Sequence, residues 1–246
     1  MINAQISDNF DSWRTAARGF LENGEWPEDI FWNTAEQASL FEKNVESSEA
    51  REHHRVPAEF IKLAKAVACF DGAGKWPLLY RILYRLSYED RNLLSIETDA
   101  DVRQARVMEK AVNRDVHKFH AFVRFRLVVV DETEIFVAWH EPQHLTVQRA
   151  TPFFVRRFGT MNFSILTPKG CAHWDTEKLT FSPPAEKQHA PTADDAELHW
   201  LTYYRSIFNP FRLKIKAMKK EFPVRHWVTL PEAALIPELI REARAK

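Results

Sequence analysis

The spacing of apolar residues changes from a helical period to a strand period at about residue 122. Between residues 100 and 120, apolar side chains recur every three or four positions, which is typical of one face of an α-helix. They are Val102, Ala105, Met108, Val112, Val116 and Phe119. In the segments AFVRFRLVVV and EIFVAWH that follow, apolar side chains alternate at a period of two, which indicates β-strands. A helix that leads directly into strands predicts a mixed fold.

The first two strands are predicted to form an antiparallel hairpin around a turn at residues 131–133. In this register Val130 lies opposite Glu134, and Phe125 lies opposite Trp139. The odd-numbered side chains of both strands then face the core. The outward-facing set consists of Arg124, Arg126, Phe136 and His140.

A short helix and a second strand pair follow this hairpin. Thr151 and Pro152 are suited to begin the helix PFFVRRF, and Gly159 follows its end. The segments FSILTP and CAHWD, separated by a turn at Lys169 and Gly170, predict the second pair. We therefore expect an α+β fold, in which a small antiparallel sheet built as hairpin–helix–hairpin packs with N-terminal and C-terminal helices.

Helices are predicted before and after this sheet in the sequence. The segments WRTAARGFLEN, PAEFIKLAKAVAC and WPLLYRILYRLS precede it, and DDAELHWLTYYRSIF and FRLKIKAMKKEF follow it. Residues 42–56 are polar and are predicted to be a loose connection. The sequence thus predicts an acidic N-terminal helical segment with its linker over residues 1–56 and an α+β main domain over residues 57–246. One continuous domain is the alternative.

Charge is distributed unevenly, although the formal net charge is zero. Residues 1–50 carry ten acidic and three basic side chains, a net charge of −7, so the rest of the chain carries +7. An acidic N-terminal part beside a basic body favours an anionic partner for the body, or an electrostatic contact between the two parts. Two solvated surfaces without a partner are the third alternative.

Basic side chains concentrate on a few predicted elements. Residues 203–227 contain seven basic residues and one acidic residue. Basic amphipathic helices can also bind membranes or acidic proteins. When basic helices occur together with arginines on a strand, nucleic-acid binding is the better single explanation. On the helix over residues 100–120, the basic positions are Arg103, Arg106, Lys110, Arg114 and Lys118. The candidate nucleic-acid-binding residues are Arg124, Arg126, Trp139, Arg156, Arg157, Arg205, Arg212, Lys214, Lys216, Lys219 and Lys220, with Trp139 available for stacking if it faces outward.

The stretch AWHEPQH, residues 138–144, places Glu141 between His140 and His144. On one helix this spacing would direct both imidazoles at a metal ion, but Pro142 and the preceding strand exclude that geometry. The sequence therefore predicts no metal ion and no cofactor. Glu141 either forms an ion pair with a strand arginine, Arg124 or Arg126, or acts with His144 as a catalytic acid–base pair.

Membrane and secreted proteins are disfavoured by the sequence. No apolar run approaches the roughly 18 residues of a membrane-spanning helix, and the N-terminus lacks the basic and apolar regions of a signal peptide. Cys69 and Cys171 are too few for a zinc or iron–sulfur site of their own and are predicted to be buried thiols. We expect a cytoplasmic protein without a membrane partner.

Nine blocks of sequence, taken in order, are characteristic of the chain: WRTAAR, LLYRILYRL, MEKAVNRDVHKFHAFVRF, FVAWHEP, TPFFVRRF, SILTP, YYRSIFNP, LKIKAMKKEFP and LPEAALIPELI. Together they resemble a bacterial protein family linked to DNA repair and DNA metabolism. Members of this family occur beside, or fused to, a uracil-DNA-glycosylase-superfamily domain, and beside a radical-SAM protein. The resemblance implies a role in DNA metabolism and assigns no reaction to this domain. It places His140 where the family has an aromatic residue, which leaves Glu141 and His144 as the better catalytic candidates.

The sequence supports three functional hypotheses. The first is a non-specific DNA-binding accessory protein of a repair or base-modification pathway, with a radical-SAM protein and a uracil-DNA-glycosylase-superfamily protein as partners. The second is a nuclease or hydrolase with Glu141 and His144 as its acid–base pair. The third is a protein-interaction scaffold, with the acidic N-terminal part as the docking surface for the radical-SAM protein. Because the sequence ends 14 residues after Glu232, we expect the glycosylase domain to be a separate chain.

Overall fold

The chain divides into two units, residues 1–114 and residues 115–246. This division differs from the boundary expected at residue 56, because Phe60 and Leu63 pack into the same apolar core as Trp13. The predicted N-terminal segment therefore shares its core with helices that follow residue 57. The computed structural model describes residues 1–34, 55–130, 133–189, 224, 227 and 230–244.

The first unit combines helices with a two-stranded sheet. Its strands β1 (Ile2–Gln5) and β2 (Ile30–Asn33) pair in parallel. Its helices are α1 (Phe10–Glu22), α2 (Ala58–Val67), α3 (Lys75–Tyr88) and the first part of α4 (Ala100–Phe122). The predicted helices over this part of the sequence are confirmed.

Aromatic side chains form the centre of the first unit's core. Trp13 is 1% exposed, and the centroid of its ring system lies 6.0 Å from that of Trp76. The ring centroids of Trp32 and Phe60 lie 6.3 and 6.5 Å, respectively, from that of Trp13. The sequence contains eight tryptophans and 18 phenylalanines. Because an aromatic side chain buries roughly 150–250 Å², the core of the first unit accounts for part of this number.

Carboxylates neutralise the basic side chains of α3. Asp99 lies directly before α4, accepts a hydrogen bond from the backbone N of Val102 at 3.0 Å and pairs with Nη2 of Arg85 at 2.7 Å. The hydrogen bond from Arg85 lowers the pKa of Asp99 below its ordinary value. Arg81 pairs with Asp101 at 2.8 Å. Both arginines therefore connect α3 to the start of α4.

A buried lysine joins the start of α1 to the connection between α2 and α3. Nζ of Lys75 lies 2.9 Å from Oδ1 of Asp8 and donates hydrogen bonds to the backbone oxygens of Ala68 at 3.0 Å and Phe70 at 2.9 Å. Asp8 also accepts a hydrogen bond from Nε1 of Trp76 at 2.9 Å. A buried ammonium group is tolerated because oxygen atoms satisfy its donors.

The second unit is built on a five-stranded sheet of order β3–β4–β5–β6–β7. The strands are β3 (Arg126–Val130), β4 (Thr133–Trp139), β5 (Phe163–Leu166), β6 (Cys171–Trp174) and β7 (Leu179–Ser182). The helix α5 (Val147–Arg157) connects β4 to β5, which pair in parallel, and the other three pairings are antiparallel. The α+β fold with a small, mainly antiparallel sheet is confirmed, with one parallel pair inside it.

The register of the β3–β4 hairpin differs from the predicted one by one residue. Val130 pairs with Thr133 and not with Glu134. A shift of one residue moves every side chain of one strand to the other face of the sheet. The prediction that Phe136 and His140 face outward was therefore wrong: Phe136 packs against the core and His140 is buried.

The helix α5 begins at Val147, earlier than its predicted start at Pro152, which lies inside the helix. The predicted cap, Thr151, is buried, and its hydroxyl donates a hydrogen bond to the backbone oxygen of Val147 at 2.7 Å. The earlier start also places Arg149 on this helix. After the sheet, a 3-10 helix (Pro231–Leu235) leads into α6 (Ile236–Arg244).

We predict that Lys75→Met lowers the free energy of unfolding by roughly 2–4 kcal/mol, because the Asp8 carboxylate and two buried carbonyls lose their donor. The control is Lys62→Met on the exposed side of α2, for which we expect a change within about 0.5 kcal/mol. Urea unfolding followed by circular dichroism measures both. Equal effects of the two changes would contradict the stabilising role of Lys75.

Candidate nucleic-acid interface

The AWHEPQH stretch forms a loop that a buried carboxylate of α4 holds in place. Asp115 is 2% exposed, and its oxygens accept hydrogen bonds from the backbone N of Gln143 at 3.0 Å and of His144 at 3.1 Å. The hydroxyl of Thr146 donates a third at 2.8 Å. These donors offset the cost of burying a carboxylate. Asp115 therefore fixes the connection between β4 and α5.

Asp115 was not identified from the sequence. Its spacing does indicate that it is buried: Asp115 comes three residues after Val112 and four before Phe119, on the apolar stripe of α4. A carboxylate at such a position needs buried donors. The identity of those donors depends on a loop 28 residues further along the chain.

Glu141 lies at the surface in an ion pair. Its side chain is 49% exposed, and Oε1 lies 3.7 Å from Nζ of Lys187. The same oxygen accepts a hydrogen bond from Nε1 of Trp139 at 2.8 Å. The prediction that Glu141 pairs with a strand arginine was wrong, because the ion-pair partner of Glu141 is Lys187. In the described part of the chain no hydrogen bond joins Glu141 to His144, so the structure does not bring this acid–base pair together.

The sheet face opposite α5 carries Arg126 and Trp139. Residues that are paired directly form a row across all five strands on this face: Arg126, Val137, Ser164, His173 and Thr180. Trp139 lies two residues beyond Val137 and therefore on the same face. Because Trp139 is only 9% exposed, little of its indole is accessible for stacking on a base.

A histidine between two serines occupies this face of the sheet. Nδ1 of His173 lies 2.9 Å from Oγ of Ser164, and Nε2 lies 2.8 Å from Oγ of Ser182. Burial lowers the pKa of His173 below its ordinary value, so the ring is neutral at pH 7. A neutral imidazole donates from one nitrogen and accepts at the other. The cluster thus forms polar contacts across β5, β6 and β7.

Arg124, another predicted interface residue, contacts the C-terminal end of α4. Its Nη1 donates hydrogen bonds to the backbone oxygens of Ala121 at 2.7 Å and Val123 at 3.2 Å. Carbonyls at a helix C-terminus lack helical partners and carry partial negative charge. Arg124 therefore caps α4, which gives this guanidinium a structural role.

Exposed cations lie along one strip of α4. Arg103, Lys110 and Arg114 are exposed, and with Val107 they follow a spacing of four, three and four residues. None of the three forms an ion pair with a residue that the structure describes, whereas Arg106 pairs with Glu59 and Glu109. At about 1.5 Å per residue, Arg103 and Arg114 are roughly 16 Å apart along the helix. We call these three side chains the α4 strip.

The helix α5 presents further exposed arginines. Arg156 and Arg157 occupy its last turn, and neither forms an ion pair within the described residues. Burial lowers the pKa of His120 on α4, and the positive charge of Arg156 lowers it further. Six other predicted interface residues lie outside the described residues: Arg205, Arg212, Lys214, Lys216, Lys219 and Lys220.

The described residues contain no group of three or more histidine, cysteine, aspartate or glutamate side chains placed to hold a metal ion. Cys69 and Cys171, which both belong to this part of the chain, do not form a disulfide. Within the same residues, each helix is too short or too polar to cross a membrane.

The fold and the exposed cations define a mixed α+β protein with basic helical surfaces. A family model described as "Domain of unknown function (DUF4130)" matches residues 73–232, from just before α3 to within the 3-10 helix that precedes α6. The match covers more than half of the chain, so the protein belongs to this family. No curated protein and no solved structure matches the chain. The family description states no function, and the link to DNA repair stays a prediction.

We predict that Asp115→Ala lowers the free energy of unfolding by roughly 2–4 kcal/mol, since three buried donors lose their acceptor. Amide hydrogen exchange at Gln143 and His144 should become faster, because Asp115 accepts both backbone hydrogens. The matched control is Glu134→Ala, which removes an exposed carboxylate from β4. Unchanged exchange at Gln143 and His144 would show that Asp115 does not hold the loop.

The pH dependence of stability should include a contribution from His120. Burial lowers the pKa of His120 below the ordinary value of 6.5, so the unfolded chain binds this proton first as the pH falls. Folding therefore loses stability below about pH 6.5, down to the pKa of the folded state. We expect His120→Gln to reduce this loss between pH 7 and pH 5.

His117→Gln provides the control for this measurement, because His117 is exposed on the same helix. Nε2 of His120 lies 3.0 Å from the backbone oxygen of Ala150, and glutamine retains a donor for that contact. The free energy of unfolding is measured by denaturation at each pH. A His120→Gln profile as steep as that of the unsubstituted protein would show that another group causes the loss.

Proposed function

We propose that this protein binds DNA non-specifically, through phosphate contacts of its basic helical surfaces, as an accessory to DNA repair or base modification. The observation that carries this proposal is the α4 strip, in which three exposed cations follow one another without an ion-pair partner among the described residues. Exposed cations without an ion-pair partner among the described residues favour an anionic partner with repeated charges.

The spacing of the α4 strip suits a polyanion better than a small anion. Its charges are spread over roughly 16 Å of helix, which is about five base pairs at 3.4 Å per phosphate along one strand. Separate contacts of this kind position a protein on the nucleic-acid backbone and carry no sequence information. The proposal is therefore for binding that does not depend on sequence.

The arginines of α5 support the same function. Arg156 and Arg157 are exposed, and a guanidinium can form two parallel hydrogen bonds with a phosphate group. Between residues 142 and 170 the sequence contains four basic residues and no acidic one. A surface of this composition does not repel a phosphate backbone.

The assignment to a repair or base-modification pathway rests on the resemblance of the nine sequence blocks. It implies a radical-SAM protein and a uracil-DNA-glycosylase-superfamily protein as partners. Glu141, half-exposed and bound by Trp139 and Lys187, gives no independent support for a nuclease or hydrolase. The binding experiment therefore also tests whether the protein cleaves DNA.

We predict that the DNA affinity of the full chain falls steeply with salt. The log–log slope should be about −4 to −7, if roughly five to eight phosphates are contacted. The double substitution Lys110→Gln with Arg114→Gln should weaken binding roughly 10- to 50-fold near 0.1 M salt and make the slope less negative by about two. Fluorescence anisotropy with single-stranded and duplex oligonucleotides measures both quantities.

The matched control is Lys62→Gln with Arg91→Gln, which removes the same charge from exposed positions elsewhere in the first unit. We expect this variant to bind almost as the unsubstituted protein does. An equal loss in both variants, or no binding of either form of DNA at low salt, would overturn the proposal. Metal-stimulated cleavage of the oligonucleotide that Glu141→Gln abolishes would favour the enzyme hypothesis instead.

A further inference from the structure

Within the second unit, the imidazole of His120 lies between the C-terminal end of α4 and the helix α5. Its ring stacks on that of Phe153, with centroids 4.2 Å apart and planes at 22°, and contacts Phe154 edge to face. Its Nε2 lies 3.0 Å from the backbone oxygen of Ala150. Because a carbonyl oxygen only accepts hydrogen bonds, Nε2 carries the hydrogen, and a further proton binds at Nδ1.

Cationic side chains lie beside this stacked pair on both helices. His117 comes three residues before His120 on α4, and residues at this spacing are neighbours on one face of a helix. Arg156 comes three residues after Phe153 on α5 and is its neighbour in the same way. His117 and Arg156 are exposed, and neither forms an ion pair within the described residues. We call His117, His120 and Arg156 the histidine–arginine cluster.

The surroundings of His120 favour its neutral form. Burial lowers the pKa of His120 most, and the charges of His117 and Arg156 lower it further. The backbone oxygen of Ala150 acts in the opposite direction, and no carboxylate among the described residues joins it. A phosphate group beside the cluster would supply negative charge and thereby favour protonation of the ring.

We propose that the histidine–arginine cluster binds a backbone phosphate of DNA and takes up protons when it does so. Arg156 supplies a permanent charge, whereas the imidazoles supply charges that depend on pH. Because the phosphate favours the protonated imidazoles, protonation favours phosphate binding to the same extent. DNA affinity therefore increases as the pH falls. The inference rests on the proposed function and adds a pH dependence that the lysine and arginines of the α4 strip cannot cause near neutral pH.

The pH dependence of DNA binding tests this proposal. Fluorescence anisotropy measures the affinity of the full chain for one duplex oligonucleotide between about pH 7.5 and pH 5.5 at a fixed salt concentration. The unsubstituted protein should bind roughly tenfold more tightly at the lower pH, whereas His117→Gln with His120→Gln should retain at most about a threefold change. Circular dichroism at each pH confirms that both proteins are folded.

Two further variants separate charge from structure. His173→Gln replaces a histidine of β6 whose ring nitrogens contact Ser164 and Ser182, and it should keep the full pH dependence. His117→Lys places a permanent charge at an exposed position. It should strengthen DNA binding at the higher pH and reduce the change on acidification. A purely structural role of His117 would not produce this gain.

The titration of His120, followed by nuclear magnetic resonance, gives a readout that does not depend on affinity. The pKa of His120 should rise when saturating DNA is added, because a phosphate stabilises the charged ring. DNA binding without this rise, or with the same pH dependence in the double histidine variant, would overturn the inference and leave the proposed function intact. Absence of DNA binding at low salt throughout the pH range would overturn both.

Discussion

The buried carboxylate of Asp115 is the interaction on which the second unit most depends. It binds two consecutive backbone N–H groups and the Thr146 hydroxyl, directly before α5 begins. The start of α5 sets the crossover between β4 and β5, the parallel pair inside a mainly antiparallel sheet. It also sets which arginines lie on the exposed side of α5. One carboxylate on α4 thus links the path of the backbone to the position of a charged surface.

Fewer basic side chains are available to a partner than the sequence indicates. Arg81, Arg85 and Arg106 are all bound to carboxylates, and Arg124 caps the helix that precedes β3. The cations of the α4 strip and the last turn of α5 are the described side chains from the basic helices that stay exposed and without ion-pair partners. Whether a basic side chain is structural or exposed depends on carboxylates and carbonyls that can be distant from it in sequence. The proposed DNA interface is therefore reduced to the α4 strip and the last turn of α5.

Local spacing predicted the helices of the first unit and the positions of the strands along the chain, because both depend on neighbouring residues. The two helices predicted over residues 195–222 lie outside the described residues. The hairpin register was missed, since a two-residue and a three-residue connection after Val130 leave the same alternation of apolar residues in each strand. Asp115 and Lys75 were missed because their partners lie 28 to 31 and up to 67 residues away. Of the candidate site, the exposed arginines of α5 were predicted, whereas the partner of Glu141 and the capping role of Arg124 required tertiary structure.

The burial of Lys75 has a chemical consequence for the first unit. A lysine amine reacts with acylating reagents only in its unprotonated form and only when the reagent can reach it. Lys62 and Lys65 on α2 are open to solvent, whereas the amine of Lys75 is enclosed by Asp8 and two carbonyls. Acylation at Lys75 therefore requires the first unit to open, and its rate relative to Lys62 reports how often that happens. The native sequence thus contains its own chemical probe of local unfolding.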